Sequence, residues 1–266
     1  MTWLTRPREP ISLRDIRNQE LPKLRALKRE PLSTEISGYD VTKEQLWRIQ
    51  YFKCCYCEQK IVPDYNDVEH YRPKALALRL PGCVHTHGYW WLAFTWNNLL
   101  FSCAGCNRSA KRALFPLDDG SKSVTAENRI FRTEKPLLID PYKTNPVEHI
   151  EYHNIIGYWQ PRARNGSKLG AYTITTCKLD RPALKERRTD YFKRHLIQPI
   201  KLLQGALGSG DAVLSKTYYQ NILQFFSKES EFSGMAYDAI RQNIDSIALH
   251  KLTGHTWPNP NDVYLP

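Results

Sequence analysis

Two cysteine pairs carry the strongest chemical signal in the sequence: Cys54-x2-Cys57 and Cys103-x2-Cys106. Each Cys-x2-Cys turn can offer two thiolates to one tetrahedral Zn²⁺, and four thiolates leave no open coordination position. The spacing therefore predicts a structural zinc site. Between the pairs lie Glu69-His70 and Asn97-Asn98, and Asn107 directly follows Cys106. A carboxylate and an amide oxygen are hard ligands suited to Mg²⁺ or Mn²⁺, ions that keep several waters and take phosphate oxygens. An imidazole titrating near neutrality is a natural base for activating water beside such an ion. Glu69 and Asn107 are thus candidate ligands of a catalytic metal, and His70 is the candidate base. Cys83, His85 and His87 are close enough in sequence for a second site, although such spacing arises in loops without metal. Cys55 and Cys177 read as reduced thiols, and His149, His153, His195, His250 and His255 as structural.

The bulk properties agree with a soluble chain that meets polyanions. The 266 residues carry a net charge of +11 and seven cysteines, with mean hydropathy −0.55 and a pI near 9.3. Such an excess of positive charge attracts nucleic acid. No apolar run is long enough for a transmembrane span, and the first residues lack the apolar core of a signal peptide. A reducing cytoplasm is expected, where an odd cysteine count favours metal ligation over a disulfide framework.

Elements must deliver these residues to one place. Two short helical pieces, over 12–20 and 22–27, are expected in a basic arm that either lies on the body or grips phosphates. Thr42 and Gln45 have capping-box spacing, which predicts a helix over 43–52 leading into the first cysteine pair. Residues 54–74 suggest a β-hairpin around Pro63-Asp64-Tyr65-Asn66. The run Tyr89–Phe94 fits one or two helical turns, and Trp90, Trp91, Phe94 and Trp96 read as core. A second helix is predicted over 106–113. Beyond a polar linker at 118–135, strands are expected over 137–139, 150–152, 155–159 and 172–174. Helices are expected over 182–207, 211–227 and 233–250, and an extended Pro-rich tail follows at 257–260.

The order Cys-x2-Cys, Glu-His-x-x-Pro, Asn-Leu, Cys-x2-Cys-Asn resembles the zinc-bearing branch of the HNH endonucleases. Cys54-Cys55-Tyr56-Cys57-Glu58, Glu69-His70-Tyr71-Arg72-Pro73-Lys74, Tyr89-Trp90-Trp91-Leu92 and Phe115-Pro116-Leu117 narrow the likeness to the HNH nucleases of Septu-type anti-phage systems and retrons. Leu138-Ile139-Asp140-Pro141 and Leu179-Asp180-Arg181-Pro182-Ala183-Leu184 with Arg187 are similar too. The likeness covers most of residues 30–190. It implies an α+β fold: a ββα-metal HNH core stapled by a structural zinc, with a mostly helical C-terminal region. The expected division is a basic N-terminal arm (1–40), the zinc-stapled nuclease domain (41–117), a mixed segment (118–180) and the helical region (181–266).

The resemblance further implies a metal-dependent endonuclease that hydrolyses phosphodiester bonds, DNA being favoured, and leaves 5′-phosphate and 3′-hydroxyl ends. In it His70 would deprotonate the attacking water, while Glu69 and Asn107 would hold the ion that stabilises the leaving oxygen. Asn98 would fix the loop that orients His70, with Asn97 as the alternative. Arg72, Lys74 and Lys111 would hold backbone phosphates. Two departures stand out: Asn107 occupies a position where histidine is usual, and Lys111 lies one residue further from the second cysteine pair than expected. A defence role with an ABC or SMC-like ATPase partner is also implied. The basic start of the helical region, with Arg181, Lys185, Arg187, Arg188, Lys193 and Arg194, is the candidate contact for partner or nucleic acid. The rival reading is a non-catalytic zinc-containing binding module, which would have no need of a base beside an acid.

Overall fold

A computed structural model describes residues 1, 3–79, 86–260 and 263. Helix α1 (Ile11–Ala26) runs unbroken through Pro22, and lies on the body with Leu13 and Leu24 buried. Helix α2 (Lys43–Ile49) follows. The predicted capping box does not form, because Thr42 takes helical backbone angles and its hydroxyl donates to Tyr39 O at 2.7 Å. The chain then turns through Tyr51 and Phe52, both in the left-handed region with φ 55° and 63°, to enter the first cysteine pair.

Strand β1 (Asp67–His70) does not close a hairpin within 54–74. Two minimal strands, β2 (Leu76–Ala77) and β3 (Thr86–His87), pair with each other, and β1 pairs antiparallel with β4 (Leu99–Ser102). The register sets Glu69 opposite Leu100 and His70 opposite Leu99. All four residues of β4 are buried, so its apolar run lies in the core with β1 as its one partner strand among the described residues. Trp90–Leu92 forms a 3-10 turn, and Trp91, Phe94 and Trp96 are buried, as expected of core.

The second helix of the core is a π-helix, Gly105–Lys111, in which Arg112 N–H donates to Asn107 O at 2.8 Å. Strands β5 (Ile150–Ile155) and β6 (Tyr158–Ala163) form one hairpin. The strand expected over 172–174 is instead part of helix α3 (Lys168–Thr176), capped by Ser167. Its β-branched residues suggest a strand in isolation, but packing against β6 decides otherwise. Gly170 permits that contact, since a Cβ there would stand 2.0 Å from His149 O. The C-terminal half is helical: α4 (Pro182–Tyr191), α5 (Ile197–Ser209), α6 (Ala212–Leu223), α7 (Ser233–Asn243) and α8 (Ser246–Thr253). The whole is α+β. One apolar cluster runs from the cysteines through Trp159 to Leu249, and a second joins α1 and α2 to Phe94, Trp96 and Phe101. Among the described residues, no helix is long and apolar enough to cross a membrane.

Candidate active site and metal centre

The four cysteines of the two Cys-x2-Cys pairs meet. The sulfurs of Cys54, Cys57, Cys103 and Cys106 lie within 4.8 Å of one another and are buried. Cys57 Sγ and Cys103 Sγ stand 3.9 Å apart. Zn–S bonds of about 2.3 Å imply tetrahedral S–S edges of about 3.8 Å, so the cluster could hold one zinc ion. Gln50 stitches the first pair to β4: its amide donates to Phe101 O at 2.8 Å and accepts from Phe101 N–H at 2.8 Å, while Cys55 N–H reaches Phe101 O. The two turns thereby arrive prealigned across a long separation in sequence.

Alternation along β1 sorts the next residues. Asp67 and Glu69 face the π-helix. Asp67 accepts from Asn107 Nδ2 at 3.2 Å and from Arg108 at 2.8 Å, and Glu69 Oε1 meets Lys111 Nζ at 2.5 Å and Tyr56 Oη at 3.3 Å. His70 faces the other way, edge-on to Tyr39 with ring centroids 4.5 Å apart. Its Nε2 lies 3.0 Å from Ala93 O. A carbonyl only accepts, so Nε2 carries the proton and a neutral ring keeps its lone pair on Nδ1. Burial, then the nearby Lys74 ammonium, push the imidazole down to about 3. The ring is therefore neutral at physiological pH and less basic than the imidazole titrating near neutrality that the sequence suggests.

A cleft of about 420 Å³ opens over these groups, lined by Glu69, His70, Lys74, Asn107, Arg108 and Arg112 among others. Lys74 Nζ donates to Ile36 O at 2.7 Å and Tyr39 Oη at 2.8 Å, and burial lowers it to about 8. Asn98 is buried and clamps the loop after β1: it accepts from Arg72 N–H at 2.8 Å and donates to Arg72 O at 3.0 Å. Asn97 is exposed. Between the two asparagines, the geometry of a loop clamp falls to Asn98.

All three of the expected phosphate contacts are engaged by protein groups, Lys74 Nζ donating also to Ser33 O at 3.2 Å. Lys111 is fully buried, with its ammonium on Glu69 and on His70 O at 3.0 Å, so it faces protein and not solvent. Arg72 Nε is 2.7 Å from the buried Glu134 carboxylate, which also takes the Tyr89 hydroxyl. Glu134 lies in the stretch expected to be a polar linker, where its sequence context gave no sign of burial. Arg112 was missed: it is exposed, lines the cleft and has φ 49°. The basic start of the C-terminal region also divides. Arg188 is buried and donates to Leu179 O at 2.6 Å, and Arg181 reaches the cysteines; Arg187, Lys193 and Arg194 remain exposed. Cys83 and His85 lie outside the described residues, while His87 Nε2 sits 3.1 Å from Val124 O.

No protein-family model matches the chain. It is 37% identical over 158 residues to Septu protein PtuB of Bacillus mycoides (strain KBAB4), covering 58% of this chain and 51% of that protein. It is also 31% identical over 142 residues to Septu protein PtuA of the same strain, covering 53% of this chain and 19% of PtuA. The chain thus spans about half of the first relative and a smaller share of the second. Over these stretches the chain is a homologue of the Septu proteins PtuB and PtuA.

Proposed function

We propose that the chain is a metal-dependent HNH endonuclease of an anti-phage defence system. The observation that carries this reading is His70: a buried neutral imidazole, oriented by Ala93 O, on the wall of a cleft shared with Glu69 and Asn107. A pure binding module has no use for a base held in that way. Likeness to the Septu proteins supports the defence role and a Septu partner. The partner is taken to be an ATPase of the ABC or SMC-like kind, and the substrate to be DNA.

Glu69 and Asn107 offer the hard oxygen donors that would hold Mg²⁺ or Mn²⁺, with Asp67 hydrogen-bonded to Asn107 alongside. When bound, the ion supplies positive charge at the scissile phosphate and the leaving 3′-oxygen. His70 Nδ1 takes the proton of the attacking water, and the Nε2–H bond to Ala93 O holds the ring while it does so. Asn98 keeps the loop after His70 in register. Arg112, exposed on the cleft wall, holds phosphate oxygens, and Lys74, whose donors go to Ser33 O, Ile36 O and Tyr39 Oη, lends its positive charge beside it. Lys111 keeps the Glu69 carboxylate in place from behind.

The test is a panel of plasmid DNA, single-stranded DNA and RNA, incubated with Mg²⁺ or Mn²⁺ and with EDTA, alone and with the ATPase. Wild type is expected to cut DNA only with the divalent ion. His70→Ala is expected to lose about 10²–10⁴-fold in rate. A folded, zinc-loaded chain that cuts nothing even beside its partner is a binding module.

A further inference from the structure

Arg181 stands where the C-terminal helices begin, yet its side chain turns back to the cysteine cluster. Nη2 lies 3.3 Å from Cys106 Sγ and 4.0 Å from Cys103 Sγ. Nη1 donates to Cys177 O at 3.3 Å and to Lys178 O at 3.1 Å. One planar guanidinium thus spans two sulfurs on one side and two carbonyls on the other. Its seat is built from both sequence regions. Gly105 leaves the space, since a Cβ there would stand 3.2 Å from Nη2. Pro182 starts α4 immediately after it, and Arg188 ties the preceding turn down through Leu179 O.

Charge explains what such a contact is for. Zn²⁺ with four thiolates carries a net charge of −2, and three of these four cysteines have no exposed surface, Cys54, Cys57 and Cys106 being at 0%. A buried anion is costly unless a cation or strong donors meet it. The other contacts to the sulfurs are weaker: Ser102 Oγ at 3.6 Å from Cys54, and Cys106 N–H at 3.4 Å from Cys103. A guanidinium offsets part of that charge through Nη2 on two of the four sulfurs, while its Nη1 is held by two carbonyls, a split that an ammonium cannot make.

We propose that Arg181 is the charge-balancing partner of the metal centre, setting its affinity for zinc and fastening the C-terminal helices to the cysteine cluster. The proposal rests on the reading of the four cysteines as a zinc site. Partners of this kind change metal affinity by about 10–100-fold when removed.

The experiment measures zinc content and affinity of the full chain by competition with a chromophoric chelator. Wild type is expected to hold one zinc ion. Arg181→Met should bind zinc about 10–100-fold more weakly, with Arg181→Lys in between. Gly105→Ala keeps the arginine but crowds its seat, and should also weaken binding. Arg187→Met removes an exposed cation from α4, away from the sulfurs, and should keep wild-type affinity. Should Arg181→Met fail to fold, Arg181→Lys and Gly105→Ala carry the comparison. Zinc affinity unchanged within twofold in the Arg181 variants, or lowered equally in Arg187→Met, overturns the proposal alone. A folded wild type without zinc overturns the zinc reading and the proposal with it.

Discussion

Asn97 and Asn98 adjoin in sequence but differ in physical situation. The exposed Asn97 faces solvent, whereas Asn98 closes a backbone clamp on Arg72 with both its oxygen and its nitrogen. Asn98→Ala leaves the part-buried Arg72 N–H without this acceptor, which costs about 1–3 kcal/mol. Urea denaturation should show that loss, while Asn97→Ala should stay within about 0.5 kcal/mol of wild type. Equal effects of the two substitutions would remove Asn98 from its assigned place. The Arg72–Glu134 pair offers a second residue-level expectation. The Glu134 side chain has no exposure and the Arg72 side chain 11%. Glu134→Ala strands a guanidinium in a largely desolvated site, and the expected loss is about 3–5 kcal/mol. Tyr89→Phe removes one of the same carboxylate's donors and should cost only about 1 kcal/mol. Both are read from the same denaturation curves, and a mild Glu134→Ala would mean that the pair is solvated.

At the scale of elements, the π-helix resolves the odd position of Lys111. In a π-helix, residues five apart share a face, as residues four apart do in an α-helix. The wider turn absorbs one extra residue, so Lys111 still comes round to Glu69 despite its extra step from Cys106. Deleting the exposed Ser109 should therefore convert the segment to an ordinary α-helix, return the lysine to four residues from Cys106 and leave the fold intact. Circular dichroism and a melting curve should match wild type, and loss of folding would mean that the bulge itself is needed. The same segment shows what was legible in the sequence. Ligand types and spacing announced both cysteine turns, His70 and the helix beginning at the second pair, because those depend on local chemistry. The partner of β1 was not legible, since its pairing with β4 is long-range, and β4 is placed in turn by Gln50, a residue of no evident motif. Helix α3 was hidden for a related reason: Thr173, Ile174, Thr175 and Thr176 favour strands, and only the surface they pack against overrides that preference. The seats of Glu134 and Arg181 likewise depend on what folds over them.

For the molecule as a whole, the decisive feature is that the cysteine cluster and the C-terminal helices share one apolar core. The first cysteine turn is also bonded directly to that end of the chain: Lys53 Nζ donates to Ser230 O at 2.8 Å, and Glu58 Oε2 accepts from Gly234 N–H at 3.3 Å. Removing residues 182–266 would strip this packing from the cluster and take away the Ser230 and Gly234 contacts of the buried Lys53 and Glu58. Such a truncation is expected to unfold the chain, so it cannot serve to locate a partner surface. Charge reversal at the exposed Arg187, Lys193 and Arg194 is the sounder route, because it changes a surface and spares the core. The shared core also fixes how the protein should come apart. Zinc release, followed with a chromophoric chelator in urea, and tryptophan fluorescence should report one transition with one midpoint, as two probes of a single cooperative unit do. Trp159 lies on the β5–β6 hairpin within the shared cluster and Trp257 packs against it. Trp3, Trp47, Trp90, Trp91 and Trp96 lie in the first 96 residues, so fluorescence senses both halves of the chain. Two separated midpoints would mean that the helical region folds independently, and the link through Lys53, Glu58 and Arg181 would then be a contact between modules instead of part of a single fold.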